Sequence, residues 1–231
     1  MASTRSAAQA ADPGAGLSAA PLVVIGGGEH ARVLIDAARS TPGRWSVQGY
    51  VAPGPTLDDP SVAHLGDDEA LSTLLAAADP EQQPWLILGF GGSPTADGLA
   101  TRMQAAARFG SAARWATVVH ASAWVSPSAV LAPGAAILAG AVVNTGATVE
   151  RHAIVNTAAV VEHDVVVGAG SHLAPGALVG GGTRIGEAVF IGLGARVRDH
   201  VEIGSGAIIG MGAVVLRSVA AGERVVGVLP L

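Results

Sequence analysis

Residues 156–177 read NTAAVVEHDVVVGAGSHLAPGA, a run of small and aliphatic residues that one Glu-His-Asp triplet interrupts. An aliphatic residue recurs in it every six positions, at Val161, Val167 and Leu173. The same step continues unbroken from residue 125 to residue 215, and all sixteen positions are aliphatic. A second six-residue series, two positions earlier, is mostly alanine. A fixed period of this kind indicates a solenoid of stacked repeats.

The hexad pattern predicts a parallel β-helix in which each repeat is one short strand followed by a corner. The aliphatic side chain and the small side chain both point inward, and glycines and polar residues occupy the corners, where unusual backbone angles are needed. Stacked coils are expected to lie about 4.8 Å apart, as strands do in any sheet. The period itself fixes only a repeat solenoid. Three hexads per coil would make a triangular prism of roughly five coils, a form that is implied by the family resemblance described below.

The unbroken register also limits where a ligand can bind. No loop is inserted between residues 125 and 215, so the prism offers only shallow grooves. Any pocket is therefore expected to need another domain or another subunit. The open ends of a solenoid must be covered, and we expect residues 216–231 to cover one end and the N-terminal region the other.

The N-terminal region follows a different pattern. Strand-like segments PLVVI, WSVQGYV and PWLILGF alternate with helix-like segments, which predicts a small Rossmann-like α/β domain with a parallel sheet. We place this domain at residues 21–114 and the β-helix at residues 115–231. Residues 1–20, rich in Ala, Ser, Gly and Pro, are predicted to form a disordered tail.

The overall composition excludes several classes of function. A formal charge of −5 without any basic run argues against nucleic acid as a partner. No run of 18 apolar residues exists, so no membrane span is expected, and the first twenty residues lack the apolar segment of a signal peptide. The chain has no cysteine, which excludes disulfides and thiolate zinc sites and suits a cytoplasmic protein.

A glycine-rich turn follows the first predicted strand. Gly26-Gly-Gly28-Glu-His-Ala31 fits G-x-G-x-x-A at a strand-to-helix turn, which aims backbone N–H groups at an anion such as a pyrophosphate. A NAD site would also need an acidic residue near the end of the second strand, where residues 49–53 read GYVAP. The turn therefore favours another nucleotide, with a plain tight turn as the next alternative and a NAD site as the least favoured. His30 either reaches a bound phosphate or sugar or is a surface residue.

The Glu162-His163-Asp164 triplet falls at a corner of the predicted prism, so His163 should point outward. The equivalent position one coil on is Gly181, which would leave room beside the imidazole. The triplet is either a solvated corner or a general base with its partner. A carboxylate next to an imidazole stabilises the imidazolium and makes the ring a better proton acceptor, and Asp164 or Glu162 would have that role.

The other histidines give weaker signals. His172 lies half a coil further on and is either a second functional residue or a surface residue. His152 and His200 fall on the following corner position and are predicted to lie at the surface, while His64 and His120 carry no local signal.

Residues 22–228 resemble the hexapeptide-repeat sugar acyltransferases with an N-terminal Rossmann-like domain. That family includes the N-acetyltransferases of nucleotide-linked 4-amino sugars and the sialic acid O-acetyltransferases. The resemblance rests on VVIGGGEHARVLIDAA, NTAAVVEHDVVVGAGSHLAPGA, RIGEAVFIGLGARV and GSGAIIGMGAVV.

This resemblance implies a left-handed β-helix, a homotrimer, and active sites in the grooves between adjacent prisms. Acetyl-CoA would be the cosubstrate, a sugar or nucleotide sugar the acceptor, and no metal would be needed. His163 would be the general base and Asp164 would raise its basicity. Acetyl-CoA would contact Asn156, His172, Gly181, Leu193 and Met211, and the acceptor would contact Gly28, Glu29 and His30.

Departures from the family pattern lie mainly in the acceptor-binding domain. Many relatives end the second strand with two acidic residues, where this chain has Ala52-Pro53, and many carry Ile-Gly-Asn or Ile-Gly-Asp after the third strand, where this chain reads LGFGG at residues 88–92. The chain ends in GVLPL, where relatives continue with GVPA and a basic residue. The acyl-transfer residues match the family, whereas the acceptor site is unusual.

Three other functions stay open on the sequence. One is O-acetylation of sialic acid or another sugar. A second is a non-catalytic sugar-binding or structural β-helix. The third is a zinc hydrolyase with a three-histidine site between subunits; it would use His163 and His200, but position 205, where a third histidine would help, is Ser205.

Overall fold

The computed structural model describes residues 18–79, 81–91, 96–110 and 113–229. The predicted tail falls almost wholly outside these ranges, as do Gly92 and the last two residues of GVLPL. The N-terminal domain alternates strands and helices as predicted, with three parallel strands in the order β2-β1-β3. Its elements are β1 (Ala20–Ile25), α1 (Glu29–Arg39), β2 (Trp45–Val51), α2 (Asp68–Ala77), β3 (Trp85–Leu88) and α3 (Ala96–Arg108).

The remaining strands are two residues long and build a parallel β-helix with three faces, which confirms the predicted fold. Face 1 consists of β4 (Val118–Val119), β7 (Ala136–Ile137), β10 (Ile154–Val155), β13 (His172–Leu173), β16 (Phe190–Ile191), β19 (Ile208–Ile209) and β21 (Arg224–Val225). Face 2 consists of β5 (Trp124–Val125), β8 (Val142–Val143), β11 (Val160–Val161), β14 (Leu178–Val179), β17 (Arg196–Val197), β20 (Val214–Val215) and β22 (Val228–Leu229). Face 3 consists of β6 (Val130–Leu131), β9 (Thr148–Val149), β12 (Val166–Val167), β15 (Arg184–Ile185) and β18 (Glu202–Ile203).

The predicted inward series forms the core of the prism. Val161, Val167 and Leu173 are fully buried, and Val161 pairs with Val143 and Val179, eighteen residues away on either side. The second, small series fills the space at the corners because its side chains occupy little volume; Ala159 and Ala177 are also fully buried. Three hexads therefore complete one coil, and the solenoid has about six turns rather than the roughly five expected from the repeat alone.

The two predictions about the ends of the prism have different outcomes. Residues 216–229 lie over one end, as expected, and they do so as a shortened last coil, in which β21 pairs with β19 and β22 with β20. The prediction that the N-terminal region covers the other end was wrong. The N-terminal domain packs against the side of the prism, where outward residues of face 1, Val118, Ala136 and Ile154, join the apolar side chains of α1 and β1 in one buried cluster. Because these outward positions are apolar, the N-terminal domain can pack on face 1 and bury them.

Among the described residues, no helix combines the length and the apolar character needed to cross a membrane.

Candidate functional site

The predicted site residues of the β-helix lie along two edges of the prism or, for His172, on the face-1 strand β13 next to one of them. Edge 1 denotes the corners that follow the face-1 strands, at residues 156–158, 174–176, 192–194 and 210–212. Edge 2 denotes the corners that follow the face-2 strands, at residues 144–146, 162–164, 180–182 and 198–200. Face 2 lies between the two edges.

Edge 2 carries an imidazole–carboxylate pair. The side chain of His163 is 51% exposed, and its Nδ1 lies 3.1 Å from Oδ2 of Asp164. The carboxylate of Glu162 instead accepts from the Asn144 amide at 3.1 Å. Of the two carboxylates that the sequence offered, Asp164 is therefore the one that contacts the ring of His163.

The backbone of edge 2 holds this pair in an unusual conformation. Asp164 has φ +59°, in the left-handed region that disfavours most side chains, and its N–H donates to the carbonyl of Thr145 at 2.9 Å. The equivalent residues one coil before and after are Gly146 and Gly182, which adopt this conformation without strain. A carboxylate thus stands at a corner position where glycine would be the easier choice.

His163 and Asp164 each lie against a glycine, which leaves room for their side chains. The sequence predicted this for one of the two glycines, Gly181. A Cβ on Gly181 would overlap the ring of His163 close to Nε2, and a Cβ on Gly146 would lie 2.5 Å from Oδ1 of Asp164. The N–H of Gly181 has no hydrogen-bond acceptor within the part of the chain that the structure describes. The backbone N–H of Gly181 is therefore available as a donor next to Nε2 of His163.

Edge 1 contains a second polar arrangement, which is largely buried. His172 is 7% exposed; its Nδ1 lies 2.9 Å from the carbonyl oxygen of Gly91, and its Nε2 lies 3.0 Å from Nδ2 of Asn156. The side-chain oxygen of Asn156 accepts from the N–H of Thr157 at 2.7 Å, so its Nδ2 is a donor. The network therefore assigns the hydrogen of the neutral imidazole to Nδ1, with Nε2 as acceptor.

The protein surroundings keep His172 neutral. Burial lowers the pKa of His172 from 6.5 to about 4, and the charge of Arg102 acts in the same direction, against the opposite effect of the Gly91 carbonyl. The ring therefore contacts edge 1 through Asn156 and the N-terminal domain through Gly91.

Leu193 and Met211 lie further along edge 1, one coil apart. Both side chains are exposed, Met211 to 77%, and neither backbone N–H has an acceptor among the described residues. Together with Asn156 and with His172, which lies on the adjoining face-1 strand β13, they form one group at edge 1, whereas His163, Asp164 and Gly181 form another on edge 2. A single chain does not bring the two groups together.

The glycine-rich turn begins α1, but His30 does not face open solvent. Gly28 is the residue before the helix, and no side chain caps the helix there; Glu29 is exposed in the first turn. The ring of His30 lies 6.0 Å from that of His172, centroid to centroid, and its Nε2 has no partner among the described residues. Burial, with smaller effects of His172 and Arg102, lowers the pKa of His30 to about 3.

The segment after β2 covers one side of the glycine-rich turn. The hydroxyl of Thr56 donates to the carbonyl of Gly27 at 2.8 Å, and the hydroxyl of Tyr50 accepts from the N–H of Thr56 at 2.9 Å. A Cβ on Gly27 would collide with both side chains. Thr56 and Tyr50 therefore occupy the space directly against the backbone of Gly27.

A cavity of about 640 Å³ opens on the other side of the turn, at the carboxyl ends of β1 and β2. Ligands of open α/β sheets bind at this end of the strands. An ion pair between Arg108 and Asp68, at 2.8 Å, stands at its polar side. The sequence did not reveal this polar side, because it forms only where α2 and α3 come together. The cavity is lined by Ile25, Gly26, Val51, Ala52, Pro53, Asp67, Asp68, Glu69, Phe90, Thr101, Ala105 and Arg108.

The prediction that His152 lies at the surface was wrong. His152 is 2% exposed and packs edge-on against Trp115, with the ring centroids 4.5 Å apart. Helix α3 covers this corner, and burial, aided by the charges of Arg151 and Arg102, lowers the pKa of His152 to about 4. His200 is exposed, as expected.

The described part of the chain contains no group of three or more His, Cys, Asp or Glu side chains placed to hold a metal ion. The three-histidine arrangement that a zinc hydrolyase needs is therefore not formed there within one chain.

Known proteins resemble the chain over most of its length. The family model described as bacterial transferase hexapeptide (six repeats) matches residues 182–217. No curated protein matches the chain. The acetyltransferase domain of PglB from Neisseria gonorrhoeae FA1090, solved with acetyl coenzyme A, is 31% identical, with a TM-score of 0.80 over 91% of this chain and 97% of that one.

A second similar structure is a mutant of perosamine N-acetyltransferase from Caulobacter crescentus in complex with CoA and GDP-perosamine. It is 34% identical, with a TM-score of 0.76 over 92% of this chain and 95% of that one. WeeI from Acinetobacter baumannii AYE, at 19% identity and a TM-score of 0.59, shares the fold. The chain belongs to the hexapeptide-repeat sugar acetyltransferases that carry an N-terminal α/β domain.

Proposed function

We propose that the protein transfers the acetyl group of acetyl-CoA to an amino group, or a hydroxyl group, of a sugar, with a nucleotide-linked 4-amino sugar as the leading acceptor. The observation that carries this proposal is the His163–Asp164 pair, which stands over the side-chain-free Gly181 beside an unused backbone N–H. The ligands of the two similar acetyltransferases support the same choice of donor and acceptor. We place the reaction in the cytoplasm, which suits a chain without cysteine.

In this mechanism His163 removes a proton from the acceptor amine as the amine attacks the thioester carbon. Its Nε2 takes the proton while Nδ1 stays bonded to Asp164, whose charge stabilises the imidazolium. The N–H of Gly181 would donate to the oxyanion that develops on the carbonyl oxygen. The carbon–nitrogen bond forms, the carbon–sulfur bond breaks, and the imidazolium of His163 gives its proton to the thiolate, so that CoA leaves as the thiol. Holding both substrates in one groove supplies much of the acceleration.

The acceptor would occupy the N-terminal domain. Gly28, Glu29 and His30 remain our candidates on the glycine-rich turn, and the cavity beside Gly26 has the 300–1,000 Å³ volume typical of a small-molecule site. His30 is half-buried beside His172, so in this proposal it links the acceptor side to edge 1 and does not bind a phosphate at an open surface.

We further infer that the active site is completed by a second copy of the chain. The two groups of site residues lie on edges 1 and 2, with face 2 between them. The outward residues of face 2 include Trp124, Val142, Val160 and Leu178, and Trp124 is 60% exposed. When three copies turn face 2 toward a common threefold axis, edge 2 of each copy meets edge 1 of the next. A homotrimer of this kind buries an apolar face and joins the two groups.

The proposed reaction is tested by measuring the release of free thiol from acetyl-CoA. The acceptor panel contains UDP-, GDP- and dTDP-linked 4-amino sugars together with free sialic acid. Turnover with one amino sugar supports the proposal, and turnover with sialic acid alone would select O-acetylation. Binding of acetyl-CoA without turnover on any acceptor would contradict a nucleotide-sugar acceptor.

Mixed trimers test whether the site is shared between copies. We expect His163→Ala and His172→Ala chains, each impaired alone, to regain activity when they are co-expressed and purified as mixed trimers. In a random one-to-one mixture, about a quarter of the sites would combine an intact edge 2 with an intact edge 1. The measurement is thiol release per site, with separately purified and then mixed trimers as the control. Activity of mixed trimers no higher than the mean of the two variants would contradict a shared site.

A further inference from the structure

The contact between the two domains is built around a buried arginine. Arg102, in α3, is 1% exposed. Its guanidinium donates to the carbonyl oxygens of Phe90, in the N-terminal domain, and His152, in the β-helix, and it forms no ion pair among the described residues. A buried cation that is bonded only to carbonyls costs stability. Arg102 nevertheless connects α3, the segment after β3 and the β-helix at one point.

The segment that Arg102 holds connects the acceptor cavity to His172. Phe90 lines that cavity, and its carbonyl is one of the two that bind Arg102. The next carbonyl, of Gly91, accepts from Nδ1 of His172 at 2.9 Å. A Cβ on Gly91 would lie 3.1 Å from Cε1 of His172, so the backbone of Gly91 lies close against the imidazole ring. The position of the Gly91 carbonyl therefore depends directly on how the Phe90 carbonyl is held.

Helix α3 lies against both the acceptor cavity and the β-helix. Thr101 and Ala105 line the cavity, whereas Arg102 turns toward the β-helix. Met103 lies against Gly170, on the same covered side of the prism as His152. The helix therefore lies between the acceptor cavity and the prism, with Arg102 at the contact.

We propose that Arg102 is a positioning residue for the acyl-donor side of the reaction. By tying the Phe90 carbonyl to the β-helix, it holds the Gly91 carbonyl against Nδ1 of His172. That bond keeps the hydrogen of His172 on Nδ1, which leaves Nε2 to accept from Asn156 and fixes the Asn156 amide on edge 1. The proposal rests on the proposed function only in assigning Asn156 and His172 to the CoA groove.

This arrangement also couples the two substrates. A ligand in the cavity contacts Phe90 and α3, which are the parts that hold His172. If the acceptor binds more tightly when the Phe90–Gly91 segment is in the position that holds His172, bound acceptor raises the affinity for CoA. Bound CoA then raises the affinity for the acceptor by the same factor.

The tautomer of His172 provides a test that does not require activity. In protein labelled with ¹⁵N-histidine at pH 7.5, we expect the His172 signals of the wild type to show a protonated Nδ1 and an unprotonated Nε2. In Arg102→Met we expect this single tautomer to be lost, with the two nitrogen shifts moving toward an averaged value. Arg39→Met is the matched control, because Arg39 is an exposed arginine of the same domain that bonds to Asp59 and Ser61.

Kinetics provide the second readout. We expect Arg102→Met to raise KM for acetyl-CoA about tenfold with a smaller change in kcat, since binding rather than the proton transfer at His163 is affected. Arg102→Lys keeps the buried charge and should recover part of the loss. If Arg102→Met does not fold, the ¹⁵N-histidine spectrum of Arg102→Lys replaces it as the test. One amine cannot reproduce the fork that reaches two carbonyls, so we expect the single His172 tautomer to be lost in this variant too. An unchanged His172 tautomer in a folded Arg102 variant overturns the proposal, whether or not any acceptor is turned over.

Discussion

His163→Ala is expected to lower kcat by about 100-fold or more, because a positioned general base contributes a factor of about 10² to 10⁴. The alanine variant leaves the acceptor amine without the imidazole that takes its proton, while the slot beside Gly181 and the cavity in the N-terminal domain remain. Most of the loss should therefore appear in kcat and little in KM for either substrate. The measurement is thiol release from acetyl-CoA with the acceptor that the panel identifies.

Two variants separate the chemistry from the fold. The His163 side chain is half exposed, and among the described residues its only side-chain bond joins it to Asp164. The free energy of unfolding of the alanine variant should therefore lie within about 0.5 kcal/mol of the wild-type value. Asp164→Asn keeps the shape but removes the charge, and we expect kcat to fall about tenfold or more. His120→Ala, at a corner on the first coil, is the matched control and should keep full activity. Full activity of His163→Ala would reject His163 as the base.

The features that were predictable from the sequence are those that depend on a short repeating distance. The six-residue period defines the inward positions, and stacking at eighteen residues correctly predicts that Gly181 lies beside His163. The alternation of strands and helices in the N-terminal region depends equally on local pattern. In each case a residue's neighbours follow from its own position along the chain.

The features that were not predictable depend on how the two domains pack. His152 has the same place in its hexad as His200, yet His152 is buried under α3 and His200 is exposed. The repeat gives both the same outward direction and carries no information about which corner another domain covers. Arg102 gave no signal in an ordinary helical stretch, because its two carbonyl partners lie 12 and 50 residues away. The cavity likewise forms only where α2 and α3 meet the sheet.

Acidification below pH 6.5 is expected to destabilise the contact between the domains strongly. Three imidazoles lie there in the neutral state, since burial lowers the pKa of His30 to about 3 and those of His152 and His172 to about 4. The charged groups that act on them are Arg102 and Arg151, which oppose protonation further. The bond from His172 to the Gly91 carbonyl acts in the opposite direction but does not offset these effects.

The sign follows from counting protons. Well above pH 6.5, from about pH 7.5 upward, the imidazoles are neutral in both the folded and the unfolded chain, so they contribute no pH dependence to the free energy of unfolding. Between pH 6.5 and about 4 the unfolded chain binds protons that the folded chain does not, so the free energy of unfolding falls as the pH falls. Each group contributes up to about 1.4 kcal/mol per pH unit, so three give a ceiling of roughly 4 kcal/mol per pH unit.

Urea unfolding at fixed protein concentration between pH 7.5 and 4.5 measures this slope, and His152→Phe isolates one group. The Nδ1 of His152 has no partner among the described residues and the ring packs edge-on against Trp115, so phenylalanine removes a titrating site and gives up little packing. We expect the pH slope of this variant to fall by about a third, whereas His200→Gln, which changes an exposed histidine, should keep the slope of the wild type. A wild-type slope near zero, or an unchanged slope in His152→Phe, would mean that these imidazoles become protonated without opening the contact. The contact formed by Arg102, His152 and His172 would then admit protons and water in the folded state. The neutral tautomer assigned to His172 would hold only near neutral pH.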